Sequence, residues 1–423
     1  MAQFGAGPMN RQKLKPQASP TIRRPRVASA VRILYLADIR FPLERANGLQ
    51  TFETCRALAA RGHAVTLLVR PDTTRPARDP WLFYGAPREA GLTIARLPPL
   101  PGLVRRGAYL AVALGRAISV APDVVFTRDL LLAEMLLRLP KNLRPPIVYE
   151  SHGYAPAMAA ERPQAITGAK PSSWRKLLRL TERESRVWRS AAGYITLTRV
   201  HQQELEDRFG MRPNTAVIPD GVRLDPARRL EPPPPTPPFT VTYAGHLYPW
   251  KGVDVLLHAL AELPHVQARV VGGQPGETDH VRLDALARDL GIHDRVTFTG
   301  WLPPASVVVE LARAHALILP NTPTHTSERY TSPLKLFEYL AAGRPIIASD
   351  LAALREILRH DDTALLVEPG SPASLAAGIR RVMGDRTLAE GLSRRAFDEA
   401  VHYGWETRAQ RIDVVLDAAR TQP

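Results

Sequence analysis

With 45% apolar and 23% charged residues, the 423-residue chain has the composition of a soluble globular protein, and its length suits two domains better than one. A formal net charge of +15 favours an anionic partner, whether nucleotide phosphates, a membrane surface or nucleic acid, without choosing among them. The single cysteine, Cys55, excludes an internal disulfide, and its place among Phe52, Leu58 and Ala59 in an apolar helical pattern makes it a packing residue.

Residues 1–30 hold six Lys or Arg and no acidic residue, with no apolar core long enough for a signal peptide, and read as a mobile basic tail. From residue 31 to about 225, β-rich runs alternate with helical patterns: RILYLAD, AVTLLVR, LTIARL, DVVFTR, PIVYES and GYITLT are the predicted strands. Such alternation implies a parallel sheet covered by helices. The apolar stretch AYLAVALGRAISVA, 108–121, is too short to span a bilayer and carries Arg116. WRKLLRLTERESRVWRSAA, 174–192, reads as a basic surface helix with one apolar face.

The proline run EPPPPTPP, 231–238, excludes helix and sheet and marks a connector spanning 226–238. A second domain follows over 239–400, with predicted strands FTVTYAG, QARVVGG, RVTFTG, ALILPN, PIIASD and ALLVEP. After about residue 390 the pattern is helical, and residues 401–423 form a separate terminal helix segment. Two stretches of this second half carry chemistry. SPLKLFEYLAAGRPIIASD, 332–350, places a polar loop, a short helix and a buried strand in succession; Ser332 serves as N-cap, Pro333 as first helical residue, and the free N–H groups make an anion site. TVTYAGHLYPWKGVDVLL, 240–257, runs from strand through a glycine turn to Lys251 and another helix.

In this order, the two stretches resemble the nucleotide-sugar half of the family 4 retaining glycosyltransferases. So do the first strand–helix unit at 32–71, VYESHG at 148–153, VIPDGV at 217–222, VVGGQPG at 270–276, VTFTGWLP at 296–303 and YGWETRAQRI at 403–412. The resemblance implies the GT-B fold: two Rossmann-like α/β domains facing each other across a cleft, with the last helix crossing back to the N-terminal domain and Trp405 packing at that crossing. It implies transfer of a sugar from a nucleoside-diphosphate sugar to an acceptor hydroxyl with retention, without a catalytic metal. The implied acceptor is a glycan or lipid-linked species in glycoconjugate synthesis, handled in the cytoplasm with peripheral contact to an anionic membrane. Nucleic-acid binding is not expected, since no aromatic–basic reader motif accompanies the charge.

Carried over residue by residue, Lys251 neutralises the donor diphosphate, Glu338 holds the ribose, and Gly245, Ser332, Leu334 and Lys335 complete the donor site. The resemblance places Gly48 in a loop where backbone approaches the phosphates, His152 near the anomeric centre with Glu150 as a wall residue, and Asp220 at the domain junction. Two positions depart from the family. His246 stands where an arginine is usual, and Tyr330 stands where the first of two glutamates eight residues apart would lie beside the sugar, with Glu328 two residues too early and Thr331 and Ser332 as replacement donors. The departures leave open a second reading, a catalytically silent nucleotide-sugar binding protein; a third is another GT-B activity such as an epimerase.

Overall fold

A computed structural model of the chain describes residues 30–99, 102–225, 227, 230 and 238–421. The basic tail to residue 29 and most of the proline run, 231–237, lie outside the described residues. The first sheet has seven parallel strands, β1 Arg32–Arg40, β2 Ala64–Arg70, β3 Leu92–Arg96, β4 Val124–Thr127, β5 Ile147–Ser151, β6 Gly193–Thr196 and β7 Thr215–Val217, in the order β3-β2-β1-β4-β5-β6-β7. The second has six, β8 Phe239–Ala244, β9 Val266–Val271, β10 Val296–Gly300, β11 Ala316–Leu319, β12 Ile346–Ser349 and β13 Leu365–Val367, in the order β10-β9-β8-β11-β12-β13. Both reverse strand order beside their first strand, at β1/β4 and β8/β11, and ligands of such sheets collect beyond the carboxyl ends of the strands at that reversal.

The central strands are buried on both faces, which is why they read as near-continuous apolar runs: Val124, Val125 and Phe126, like Leu317, Ile318 and Leu319, are fully buried. Twelve of the thirteen strands among the described residues coincide with the runs predicted from sequence. Strand β7 was not among them, because Thr-Ala-Val is half exposed at the sheet edge and carries no buried apolar run.

The helix Trp405–Thr421 returns to the first domain, where Trp405, Ala409, Ile412, Val415 and Leu416 share a core with Phe52, Cys55 and Leu58 of the helix Ala46–Ala60. Cys55 is fully buried, the packing role its pattern implied. Two strands of chain run side by side at the junction, with a parallel bridge between Val222 and Gly404. The amide of Val31 donates to His63 Nδ1 at 3.1 Å, so the ring carries its proton on Nε2 and donates to Asp413 Oδ1 at 2.9 Å, pinning the returning helix.

Across the cleft the domains exchange carboxylate caps. Glu161 of the first domain accepts from the amides of His325 (2.6 Å) and Thr326 (2.9 Å), at the start of the helix His325–Arg329. Glu356 of the second accepts from the amides of Arg199 (2.7 Å) and Val200 (2.9 Å), at the start of the helix Arg199–Phe209. Each carboxylate satisfies N–H groups that a helix start leaves open and favours its positive end.

Two local expectations change. The helix after the 332–333 dipeptide begins at Leu334 with Pro333 as N-cap, because the Ser332 hydroxyl is taken by the amide of Asp220 at 3.0 Å. Gly48 lies inside the first turn of the helix Ala46–Ala60 rather than in a loop. A Cβ there would sit 2.6 Å from the Tyr84 hydroxyl and 2.7 Å from the Leu43 carbonyl, so the glycine allows the Tyr84–Leu43 contact to close.

Candidate functional site

Between the two domains lies a cavity of about 650 Å³, within the range of small-molecule sites. The second domain contributes Gly245, His246, Lys251, Leu334, Lys335 and Glu338, and the first contributes Arg45, Leu49 and Phe83 among others. The sequence-predicted donor residues of the C-terminal half thus converge on one wall, with the exception of Ser332.

Lys251 ends the short turn Pro249–Lys251, and Gly252 follows in the left-handed region at φ +72°. A Cβ on Gly252 would fall 1.8 Å from the Pro320 carbonyl, so only glycine lets the chain turn there and aim Lys251 at the cavity. The Lys251 ammonium sits 3.5 Å above the Trp250 ring, and burial lowers its pKa to about 7. Lys335, on the helix Leu334–Ala342, is only 7% exposed; its Nζ lies 3.7 Å over the Tyr243 ring and has no hydrogen-bond partner. Burial, then the Lys251 charge, drives its pKa well below that of an ordinary lysine, with Glu338 opposing. Burial pushes the Glu338 carboxyl up to about 7 against the pull of Lys335.

The charges of the lining are segregated: Lys251, Lys335 and Glu338 stand together on the second domain, while Arg40, Glu44 and Arg45 stand on the first and Glu277 and Asp279 beyond. Burial disfavours the charge on both lysines and on Glu338 while the site is empty, and an anion placed between the two ammonium groups would restore their charge. His246 is stacked on Tyr248, with ring centroids 5.3 Å apart and planes 10° apart. Burial, with the charges of Lys251, Arg45 and Lys335, lowers its pKa to about 4, so at neutral pH it is an uncharged imidazole that donates one hydrogen bond at most.

Tyr330 does not line the cavity. It is 2% exposed, and its hydroxyl donates to Glu204 Oε2 at 2.8 Å and meets His325 Nε2 at 2.7 Å, making it a strut across the domain interface. Thr331 and Ser332 face a separate small cavity of about 150 Å³ with Glu356 and Arg411. Neither lines the larger cavity, and Glu328 is not among its lining residues either. Gly48 also lies outside the lining.

His152, just past the carboxyl end of β5, stands apart from the lining of the large cavity, its side chain 22% exposed. Its Nε2 is 2.6 Å from Glu150 Oε1, and burial together with Arg128 lowers its pKa to about 4. Glu150 is fully buried; desolvation opposes its ionisation, but Arg408 and His152 outweigh it and hold the carboxyl below the usual range. Arg408, 3% exposed, bonds Glu150 Oε2 at 2.5 Å, the Pro219 carbonyl at 3.1 Å and Thr54 Oγ1 at 3.0 Å. Asp220 sits beside this group, its carboxyl raised by burial to about 7 against the pull of Arg408.

Four contributors, Arg408, Phe83, Trp301 and Arg45, were not singled out from sequence. Arg408 had one signal, a lone charge within the apolar spacing of Trp405, Ala409 and Ile412. Phe83 and Trp301, both lining the cavity, stack across the cleft at 5.9 Å and 15°. Arg45 lines the opposite lip. Nothing local in the sequence of Phe83 or Arg45 signals a partner more than two hundred residues away.

Residues 238–385 match the family model for glycosyl transferases group 1, and residues 48–226 match that for Glycosyltransferase Family 4. A D-inositol 3-phosphate glycosyltransferase from Acidothermus cellulolyticus is 28% identical over 412 residues, 90% of this chain and 89% of the relative. A lipopolysaccharide core biosynthesis glycosyltransferase, LpsD of Rhizobium meliloti, is 30% identical over 188 residues, covering 44% of this chain and 52% of the relative. Among solved structures, the sucrose-phosphate synthase of Thermosynechococcus elongatus superposes with a TM-score of 0.71 at 19% identity, covering 90% of this chain and 97% of the other. Anabaena HepE, solved with UDP and glucose, gives 0.69 at 20%, covering 92% and 99%. At these identities the structural likeness shows the fold.

Proposed function

The chain belongs to the group 1 and family 4 glycosyltransferases, and from that premise we propose that it moves a sugar, with retention of anomeric configuration, from a nucleoside-diphosphate sugar held in the large cavity. One observation carries the donor assignment: Lys251 and Lys335 both line a 650 Å³ cavity, and the buried Lys335 ammonium has no hydrogen-bond partner among the described residues.

A diphosphate supplies that partner. As the anomeric bond breaks, negative charge grows on the distal phosphate, and cations in a water-poor cleft lower that barrier more than they would in water. Lys251 and Lys335 act on that charge, and Glu338 holds the ribose hydroxyls. The leaving phosphate takes the acceptor proton on the same face, so no protein nucleophile is assigned. The family resemblance puts His152 of the first domain near the anomeric centre; outside the lining of the large cavity, its ring is held by Glu150 and, behind it, Arg408. Charge stabilisation in this reading needs no divalent cation, and turnover that persists in excess chelator is the expected result.

The acceptor is a hydroxyl on a glycan or lipid-linked molecule presented at the cytoplasmic membrane face, in glycoconjugate synthesis. Support comes from the helix Trp174–Ser190, which leaves Trp174 70% and Leu178 43% exposed beside the exposed Arg175 and Arg179, a mixture suited to an anionic interface. No helix among the described residues is long and apolar enough to cross a membrane.

Release of nucleoside diphosphate from a panel of nucleotide sugars, with product configuration read by NMR, tests the proposal. Lys251→Ala and Glu338→Ala should abolish release while keeping the native circular dichroism. Wild-type turnover in both variants, or an inverted product, would sink it.

A further inference from the structure

We propose that Arg45, on the first domain, supplies the second side-chain cation for the donor diphosphate that His246 does not supply from the second, so that the diphosphate is grasped from both lips of the cleft. The inference rests on the donor-site reading and adds a residue to it.

The cavity places Arg45 and His246 in one lining, with Lys251 and Lys335. His246 is spent on stacking against Tyr248 and carries no charge at neutral pH. Arg45 is exposed, and its guanidinium makes no hydrogen bond or ion pair among the described residues. Its neighbours differ: Arg40 is held by Glu44, and Arg78 by Glu44 and Asp72. Of the two arginines in the lining, Arg40 is paired with Glu44, which also lines the cavity, and Arg45 has no acceptor among the described residues.

Arg45 is also the N-cap residue of the helix Ala46–Ala60, which has no side-chain cap and no acidic residue in its first turn. The backbone N–H groups there add to the guanidinium's pull on an anion. Independently, the Lys335 ammonium, 7% exposed and without a hydrogen-bond partner among the described residues, gives the facing wall a buried donor open to an anion. A guanidinium that bonds two phosphate oxygens at once holds a diphosphate with defined orientation, which a neutral imidazole cannot do. A phosphate on the acceptor would present the same chemistry to Arg45, so the two sources must be separated by experiment.

The test is calorimetric titration of the full-length wild type, Arg45→Ala and the double variant Arg45→Ala/His246→Arg with UDP, GDP and ADP, and with uridine, guanosine and adenosine. For the diphosphate that the wild type binds, Arg45→Ala should weaken affinity about tenfold or more. Affinity for the matching nucleoside should stay unchanged, and restoring the family arginine at 246 should recover most of the loss. Unchanged diphosphate affinity in Arg45→Ala, including the case where only the acceptor KM rises, overturns the inference while leaving the donor site standing. A wild type that binds none of the diphosphates overturns the donor-site reading and this inference with it.

Discussion

Replacing Arg408 by Met leaves Glu150 buried without its main counter-charge. The guanidinium is 3% exposed and the carboxylate fully buried, and three bonds from Arg408 tie the returning helix to Glu150, Pro219 and Thr54. Removing one partner of a buried, hydrogen-bonded pair costs about 3–5 kcal/mol. Gln50, 2.6 Å from Glu150 Oε1, and His152 remain to bond the carboxylate, which puts the expected loss near the lower end, about 3 kcal/mol. The sign with pH follows from Glu150. Its folded-state pKa lies below the unfolded value of about 4.3, so its contribution is fully present above that value and is lost as pH falls through the folded pKa. The gap between wild type and variant should be full at pH 7 and narrow below about pH 4. Removing both charges, in Glu150→Gln/Arg408→Met, should recover most of the stability. Urea unfolding followed by tryptophan fluorescence at pH 7 and pH 4, compared by midpoint and slope, measures this. A single variant within about 0.5 kcal/mol of wild type at pH 7, or a gap independent of pH, would refute the reasoning.

Further outcomes follow from the same geometry. Lys335→Met removes an unpaired buried cation, so the empty protein should gain on the order of 1–2 kcal/mol while losing diphosphate binding; a less stable variant would contradict the account of that side chain. Because Lys251 titrates at about 7 in the empty site and is needed as a cation, diphosphate affinity should fall as pH rises above 7, with proton uptake on binding at pH 8. Calorimetry in buffers of different ionisation enthalpy reads that uptake, and its absence would count against Lys251 as the contact. Glu161→Ala with Glu356→Ala removes both exchanged caps, at about 1 kcal/mol each, and should open the cleft. Small-angle scattering should then show a larger radius of gyration without donor, whereas an unchanged profile would mean that other contacts set the closure.

The strands were legible because parallel strands buried on both faces are written as short apolar runs bounded by turn residues, as in AVTLLVR and PIIASD. Edge strand β7 was not, since a half-exposed three-residue strand leaves no run to read. The shared cavity wall was legible for a similar reason: Gly245, Lys251, Lys335 and Glu338 belong to local strand–loop–helix units whose geometry the chain carries within about twenty residues. Tyr330 and Ser332 stand outside the lining of that cavity, and their partners are distant in the chain. Glu204 claims the tyrosine hydroxyl and Asp220 the serine, and no local pattern announces a contact formed when two domains meet. Arg45 and Arg408 went unassigned on the same ground, since each matters through what faces it across the cleft or beneath the returning helix.

The central claim is that the cavity between the domains is a nucleoside-diphosphate site built on Lys251. Isothermal titration of wild type and Lys251→Ala with UDP, GDP, ADP and CMP tests it most directly. The account predicts that one diphosphate binds the wild type and that the variant loses at least about tenfold in affinity, the loss of a charge-assisted contact. Binding of equal strength in both proteins, or no binding to the wild type, would contradict it.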